Sequence, residues 1–156
     1  MICSSDKLAE ICEVLRRENK KIIFTNGCFD IVHAGHITYL YEAKSFGDIL
    51  IIGINTDDSV KRLKGEDRPL VNQKDRAVVL SALEMVDYVT LFDEDTPLKL
   101  IKKLKPDVLV KGGDYTQDTI VGADFVIERG GEVRVVPLLA GRSTSSIIEK
   151  IKVISN

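Results

Sequence analysis

Both histidines of this chain lie in one short stretch, His33-Ala-Gly-His36. An apolar run that ends in Asn26-Gly27 precedes them by a few residues. Side chains three residues apart meet on one face of a helix, so a helix that begins here would bring the two imidazoles together. The first N–H groups of a helix bind anions because they have no partners within the helix. The stretch therefore predicts a phosphate site made of two histidines and a helix start.

Two other stretches offer groups that bind anions. Lys61-Arg-Leu-Lys-Gly-Glu-Asp-Arg68 reads as a basic loop from which Lys64 could reach the same phosphates, and a solvated surface is the other interpretation. Residues 141–146 read Gly-Arg-Ser-Thr-Ser-Ser before a final helix. Small hydroxyl side chains are favoured as helix caps, but four in a row also suit a second anion site, which we favour.

These groups suit the transfer of a nucleotidyl group. A phosphate monoester has a second pKa of about 6, so it is mostly ionised at neutral pH. It can attack the α-phosphate of a nucleoside triphosphate without a protein nucleophile. The protein has to bring two polyanions together and neutralise charge on the leaving pyrophosphate. We expect His33 and His36 at the α- and β-phosphate oxygens, and Lys64 there or at the acceptor phosphate.

Other classes of site lack their sequence signals. No Gly-x-Gly-x-x-Gly and no P-loop follows the first apolar run, which argues against a redox dehydrogenase and a P-loop enzyme. A zinc site of His33, His36 and Cys28 would lack a fourth ligand at suitable spacing. Cys28 itself reads as a small residue that fits a tight loop, rather than as a nucleophile.

Composition gives expectations about partners and location. The net charge is −2 and the estimated pI about 5.7, which leaves no basic footprint for a nucleic acid. No apolar run approaches the ~20 residues of a membrane span, and the N-terminus shows no signal pattern. Three cysteines, an odd number, fit a reducing compartment. We therefore expect a cytoplasmic protein that binds neither membranes nor nucleic acid.

Apolar segments that alternate with helical patterns predict the elements that position these groups. They favour an α/β fold, a Rossmann-like doubly wound parallel five-stranded sheet in a single domain of residues 1–156. Polar loops follow the carboxyl ends of strands, where ligands bind in such sheets, so we expect them to converge on one crevice. The predicted strands are 22–24, 48–54, 86–92, 107–110 and 132–137, and the polar loops are 26–36, 55–68, 111–114 and 141–146.

Local signals predict further details of the elements. Asp6 is the expected N-cap of a leader helix over residues 6–18, Asn26-Gly27 reads as a turn, and Gly47 reads as a helix C-terminal glycine. A helix over residues 75–83 is expected to bury Val78, Val79 and Ala82. Another helix is expected from residue 118 or 119 to about residue 129.

The wording of residues 24–36 is similar to that of the HxGH nucleotidyltransferases, the superfamily of cytidylyltransferases and adenylyltransferases. Nearly the whole chain resembles the D-glycero-β-D-manno-heptose 1-phosphate adenylyltransferases. The resemblance implies the HxGH nucleotidyltransferase fold, often dimeric, and transfer of AMP from ATP to a sugar 1-phosphate, with Mg²⁺ carried mainly by the triphosphate. It also implies a stand-alone form with a separate sugar kinase. The further matching blocks are 63–69, 75–77, 86–88, 94–98, 105–115, 121–124 and 141–144.

The resemblance also implies roles for individual residues. His33, His36 and Lys64 would be catalytic, and no metal ligand follows from the sequence. Nucleotide-binding residues would be Asn26, Gly27, Cys28, Phe29, His33, Gly35, His36, Gly112, Gly141, Arg142, Ser143, Thr144 and Ser145. Substrate-binding residues would be Asp30, Lys64, Arg76, Lys111 and Asp114.

Alternatives remain open at the level of sequence. Glycerol-3-phosphate cytidylyltransferases carry an arginine where this chain has Leu138, which argues against CTP with a polyol phosphate, and leaves the role of Arg142 a guess. A nucleotide-binding module without catalysis is a third interpretation. From the residues alone, Arg76 could pair with Asp75 or Glu84 on its own helix, and Asp114 could cap a turn.

Overall fold

The central feature of the fold is an all-parallel sheet of five strands in the order β3-β2-β1-β4-β5. The structure, a computed structural model, describes residues 1–113, 115–137 and 143–154. The strand order reverses between β1 and β4, which is the switch point where ligands bind in open parallel sheets. The strands are β1 (Ile22–Gly27), β2 (Ile49–Asn55), β3 (Tyr88–Phe92), β4 (Val108–Gly112) and β5 (Glu132–Val136).

Helices cover both faces of this sheet, as the sequence predicts. Within the described ranges none of them is both long and apolar enough to cross a membrane. A single 3₁₀ turn, Gln117–Thr119, follows β4 in this part of the chain. The helices are α1 (Ser5–Arg17), α2 (Ala34–Lys44), α3 (Asp57–Lys64), α4 (Gln73–Ser81), α5 (Leu98–Leu104), α6 (Ala123–Glu128) and α7 (Thr144–Ile154).

The core has two layers because successive side chains of a strand point to opposite faces. On β1, Ile23 packs with side chains of α2 and α4, whereas Ile22 and Phe24 pack with α1, α5 and α6. All three side chains are fully buried. The central strand therefore reads as a continuous apolar run, which is typical of a parallel sheet covered on both faces.

Two boundaries near the first strand differ from the sequence prediction. Asn26 and Gly27 are not a turn; they continue β1, where they pair with Gly53 and Ile54 of β2. Hydrogen bonding to β2 extends β1 beyond its apolar residues. The leader helix begins one residue earlier than predicted, and Ser4 rather than Asp6 is its N-cap, since the Ser4 hydroxyl accepts the Lys7 N–H.

The predicted buried face of α4 is wrong. Val78 and Val79 are 57% and 46% exposed, and the buried residues are Arg76, Ala77 and Leu80. Ala82 is the C-cap and is exposed. Counting apolar residues gave the wrong face because a buried arginine, satisfied by carbonyl oxygens, takes a position that hydrophobicity assigns to solvent.

At two positions the structure explains why glycine is present, and the explanation differs from the sequence prediction. Gly47 follows α2, but its φ is not left-handed; a Cβ there would lie 2.9 Å from the Lys21 carbonyl oxygen, so close packing excludes a side chain. Gly122 adopts a φ of 88° and divides the predicted helix 118–129 into a 3₁₀ turn and the shorter α6. A left-handed residue cannot continue a right-handed helix.

Candidate active site

A cavity of about 550 Å³ lies at the carboxyl edge of the sheet, where the predicted polar loops converge. The loops after β1, β2, β4 and β5 all contribute, as predicted, and the β3–α5 loop adds a further wall. Residues that line it are Asn26, Gly27, Cys28, Phe29, Asp30, His36, Asn55, Leu63, Lys64, Arg68, Asp95, Thr96, Pro97, Lys111, Tyr115, Thr119, Ile120, Val121, Thr144 and Ser145.

The two histidines meet at the start of α2. His33 is the N-cap, and its Nδ1 accepts the Gly35 N–H at 3.1 Å. The imidazole rings stack with centroids 4.0 Å apart and planes 30° apart. His36 lines the cavity, and its ring also lies 5.1 Å from that of Phe29. The predicted pair of imidazoles at a helix start is therefore present, with His36 at the wall and His33 as the cap.

Electrostatics favour a neutral His36 in the ligand-free protein. Burial lowers the pKa of its imidazole to about 4; the neighbouring His33 acts in the same direction, and a hydrogen bond with the Ile31 backbone opposes them. Its Nδ1 is buried and has no hydrogen-bond partner in the described part of the chain. At neutral pH the His36 imidazole is therefore uncharged, and it becomes a cation only when an anion compensates its burial.

The backbone of the β1–α2 loop is shaped by Phe29. This residue has a left-handed φ of 48°, which is uncommon for a bulky side chain. Its ring is buried and lies so close to Gly27 that a Cβ there would be 3.0 Å from the ring. Glycine at position 27 thus lets the aromatic ring close over the end of β1 beside the cavity.

The Asp30 carboxylate joins this loop to the segment after α3. It accepts the N–H groups of Leu70 and Val71, both at 2.8 Å, and the Nε–H of Arg68 at 2.6 Å. Burial alone raises the pKa of this carboxyl, but the Val71 and Leu70 N–H groups and Arg68 together hold it below its usual value. Asp30 stands at the cavity wall as an ionised link between two loops.

Arg76 is fully buried and ties several cavity loops together. Its guanidinium donates to the carbonyl oxygens of Cys28 at 2.6 Å, Asn55 at 2.9 Å and Val71 at 2.9 Å, and to the Asp57 carboxylate at 2.8 Å. The pairing with Asp75 or Glu84 considered from the sequence is wrong, because the side chain turns inward. It holds the walls from behind and is not among the residues that line the described cavity.

Cys28 and Asn55 form a polar pair at the ends of β1 and β2. The Cys28 thiol donates to Asn55 Oδ1 at 3.8 Å, and Asn55 Nδ2 donates to the Ser59 hydroxyl at 3.0 Å. Burial raises the pKa of the Cys28 thiol, although nearby Lys64 and Arg76 oppose it. A protonated thiol in a packed loop fits the small-residue interpretation of Cys28 rather than a nucleophile.

Lys111 stands at the switch point between β1 and β4. Its Nζ donates to Asn26 Oδ1 at 3.3 Å and lies 5.8 Å from the centre of the Tyr115 ring. Burial lowers the pKa of its ammonium. Among the described residues no carboxylate pairs with this half-buried cation, so an anion in the cavity could supply its counter-charge. Gly112, predicted to touch the nucleotide, is the last residue of β4 and pairs with Val136.

Lys64 lies at the mouth of the cavity, but on a different element than predicted. It is the last residue of α3 rather than part of a loop, and its side chain is exposed. In the described chain no hydrogen bond or ion pair occupies its ammonium group. The amine therefore remains available for an anionic ligand.

The hydroxyl cluster at the start of α7 contains a helix cap and also contributes side chains to the cavity wall. Ser143 caps the helix, since its hydroxyl accepts the Ser146 N–H at 3.1 Å while Ser146 Oγ accepts the Ser143 N–H at 3.3 Å. Thr144 donates to the Ile31 carbonyl at 3.3 Å, and both Thr144 and Ser145 line the cavity. The cap is thus present beside hydroxyls that face the site. Asp114, Gly141 and Arg142 lie outside the described residues.

Sequence reasoning missed part of the cavity wall. Asp95, Thr96 and Pro97 after β3 fall in a block that matches the family but have no predicted place in the site, and residues 119–121 fall in a predicted helix. Their position after a strand was an available signal for Asp95, but residues 119–121 reach the cavity only because the chain breaks at Gly122. Within the described ranges no three His, Cys, Asp or Glu side chains form a group that could hold a metal ion.

Comparison with known families decides the class of this site. The profile of the cytidylyltransferase-like family matches residues 24–150, which include every described wall of the cavity. The chain belongs to the cytidylyltransferase-like family. It is a nucleotidyltransferase, as the paired histidines and the carboxyl-edge cavity indicate.

Similar proteins agree with this assignment. The chain is 58% identical over 146 residues to the bifunctional protein HldE of Geobacter metallireducens, and 57% identical over 151 residues to that of Campylobacter curvus. These matches cover 94% and 97% of this chain. The chain spans about 30% of the length of the curated relatives it matches.

Solved structures show the same architecture. A lipopolysaccharide core biosynthesis protein from Thermoplasma volcanium is 30% identical, with a TM-score of 0.61 over 77% of this chain and 97% of that one. A pantoate-β-alanine ligase from Francisella tularensis gives a TM-score of 0.65 over 100% of this chain and 78% of that one. At 18% identity the second likeness concerns the fold alone.

Proposed function

We propose that the protein transfers AMP from ATP to D-glycero-β-D-manno-heptose 1-phosphate, which gives ADP-heptose and pyrophosphate. The observation that carries this proposal is the histidine pair at the start of α2, set in a cavity whose other walls bear cations. The likeness to the HldE proteins, whose C-terminal domain is the heptose 1-phosphate adenylyltransferase, supports the choice of acceptor. ADP-heptose serves lipopolysaccharide core biosynthesis.

In this proposal the triphosphate lies against the start of α2. The acceptor phosphate oxygen attacks the α-phosphorus, the bond from the α-phosphorus to the bridging oxygen breaks, and pyrophosphate leaves. His36 donates an N–H to the phosphates, and His33 holds its partner ring and the helix start in place. Because both reacting groups are anions, catalysis rests on positioning and charge neutralisation rather than on a protein nucleophile. Mg²⁺ enters with ATP as part of the substrate.

The remaining predicted residues divide between the two substrates. The nucleotide lies against residues 26–29, Gly35, Gly112 and residues 141–145. Lys64 and Lys111, which both line the cavity, supply charge to the acceptor phosphate. Asp30 and Arg76 contribute by holding the walls, and the resemblance in sequence assigns Asp114 to the acceptor. A homodimer and a cytoplasmic location belong to the same proposal, from the resemblance in sequence.

Pyrophosphate release tests the proposal directly. Purified protein is incubated with Mg²⁺ and heptose 1-phosphate, with ATP in one reaction and CTP in the other. Release with ATP alone is the expected result. Release with CTP and glycerol 3-phosphate instead would favour the cytidylyltransferase alternative. Nucleotide binding by calorimetry without turnover on any sugar or polyol phosphate would favour a binding module.

A further inference from the structure

Three cations lie in the last turn of α3, and they differ in what holds them. Arg62 Nε donates to Asp95 Oδ1 at 2.9 Å, its Nη2 donates to the Asp93 carbonyl, and Nη2 also lies 3.5 Å from the Asp93 carboxylate. In the described chain no ion pair is found for Lys61 or Lys64. In this turn Arg62 is therefore anchored by its partners, and Lys64, two residues later, lines the cavity.

This contact joins two segments that each contribute to the cavity wall. Leu63 and Lys64 line one side of its mouth, and residues 95–97 of the β3–α5 loop line another. Arg62 bridges the two sides. The first turn of α3 has its own contacts to the same loop, because Ser59 donates to the Glu94 carbonyl at 3.3 Å and Thr56 bonds to Asp93. The last turn has only Arg62 among the described side-chain hydrogen bonds.

The end of α3 is otherwise open. Gly65 follows Lys64 with a left-handed φ of 101°, and nothing lies within 4 Å of where its Cβ would be. A helix end without packing frays readily. Fraying of the last turn would move Lys64 away from the cavity.

Stability of the fold does not account for this contact. The side chains of Arg62, Asp93 and Asp95 are 45%, 63% and 66% exposed, and exposed ion pairs contribute little to folding. Catalysis depends more strongly on where a side chain lies, since a displacement of ~1 Å in an active site can lower a rate by about 100-fold. A contact that is weak for stability can thus be strong for catalysis.

We propose that Arg62 is a positioning residue that clasps the last turn of α3 to Asp93 and Asp95 and so keeps Lys64 at the cavity. The proposal rests on the proposed function of Lys64 at the phosphates. Arg62 itself touches no substrate and acts through Lys64.

Kinetics of four variants test this dependence. Arg62→Ala should lower kcat/KM by about tenfold or more, with a melting temperature close to that of the wild type. Lys61→Ala, which removes a cation from the same turn away from the cavity, should stay within about twofold. In a Lys64→Ala background, Arg62→Ala should cause almost no further loss. Arg62→Lys should be intermediate, because an ammonium group can pair with one carboxylate but cannot span two.

Independent losses from Arg62→Ala and Lys64→Ala that multiply in the double variant would overturn the proposal. So would a Lys64→Ala variant with wild-type kinetics.

Amide hydrogen exchange tests the clasp without turnover. The Gly65 N–H donates to the Lys61 carbonyl at 2.8 Å and reports on the last turn, while the Val60 N–H, which donates to Thr56 at 2.9 Å, reports on the first. Arg62→Ala should speed exchange at Gly65 and leave Val60 unchanged. Equal exchange at Gly65 in both proteins would overturn the clasp, even if the wild type showed no activity with heptose 1-phosphate. Inactivity of the wild type with normal exchange differences would instead count against the proposed function alone.

Discussion

The two edges of the sheet use polar residues in opposite ways. At the amino edge, Asp48 accepts the Lys21 N–H at 2.7 Å, Asp87 accepts the Leu50 N–H at 2.7 Å, and Asp107 accepts the Ile22 N–H at 2.8 Å. Each of these carboxylates completes the hydrogen bonding of a neighbouring strand. At this edge the three carboxylates therefore find their partners within the protein itself.

At the carboxyl edge the polar groups surround open space instead. His36 leaves a buried nitrogen without a partner in the described chain, and the Lys64 ammonium is unpaired there. Lys111 is a half-buried cation, and the described residues offer it an amide oxygen and an aromatic ring but no carboxylate. Polar groups that a protein leaves unsatisfied are costly, so they indicate where a ligand completes the site. Other polar groups at this edge are satisfied, and Asp30 is one of them because its carboxylate accepts hydrogen bonds from Arg68, Leu70 and Val71.

The largest effect that follows from this comparison concerns His36. Replacing it with alanine should lower kcat by about 100-fold to 10,000-fold, because the phosphates lose a donor at the reacting centre. Circular dichroism should show an intact fold. Thr38→Ala is the matched control on α2, since the Thr38 hydroxyl bonds back to the Ala34 carbonyl and has no other hydrogen bond among the described residues. Near-normal turnover by the His36 variant would mean that His36 at the carboxyl edge does not take part in catalysis.

The amino edge should respond in stability rather than in activity. Asp107→Ala leaves the Ile22 N–H without its acceptor, so the free energy of unfolding should fall by about 1–3 kcal/mol in urea titrations. Turnover per folded molecule should stay at the wild-type level. Asp107→Asn keeps an acceptor oxygen and should lose less. A specific loss of turnover without a change in stability would mean that this edge is not purely structural.

Acid titration distinguishes the unsatisfied histidine from the satisfied carboxylates. The His36 pKa is about 4 in the folded protein against about 6.5 when unfolded, so between these values the unfolded chain binds more protons. Stability should therefore fall as the pH drops from about 6.5 to about 4, and part of this fall should vanish in His36→Gln. Parallel urea midpoints of the two proteins across this range measure it. Identical pH dependence of the wild type and the variant would mean that the His36 ring lies in a more polar environment than the structure shows.

The smallest expected effect is a change in stability at Thr90, an unsatisfied polar group in the core rather than at the carboxyl edge. Thr90, fully buried in β3, has a hydroxyl without a hydrogen-bond partner in the described chain. Thr90→Val should raise the free energy of unfolding by about 1 kcal/mol, because an unpaired polar group is removed at nearly constant shape. Thr25→Val is the matched control, since buried Thr25 bonds to Tyr39 Oη at 2.6 Å and should lose stability. A destabilised Thr90 variant would mean that its hydroxyl is satisfied.

Much of the architecture could be read from local patterns. Apolar runs such as Ile22-Ile-Phe24 predicted the five strands, and their alternation with helices predicted the parallel sheet. The histidine spacing predicted the stacked imidazoles at the start of α2. These predictions succeeded because the signal and the structure involve residues close in sequence.

Other features depend on residues far apart, and local patterns missed them. Hydrophobicity placed Val78 and Val79 inside, but the four acceptors that bury Arg76 come from separate loops. The extension of β1 through Asn26 depends on its pairing with β2. Asp95 follows a predicted strand, but it becomes part of the site only when β3 lies in the sheet.

The sequence by itself determined the sheet, the order of its elements and the histidines at the first helix start, because periodicity, turn residues and spacing act over short distances. Only the tertiary structure decided which polar groups are satisfied and which are left to a ligand. Asp30 and His36 are six residues apart, yet one has all its partners and the other lacks one. That difference depends on which distant backbone groups fold against each side chain, and no local pattern encodes it.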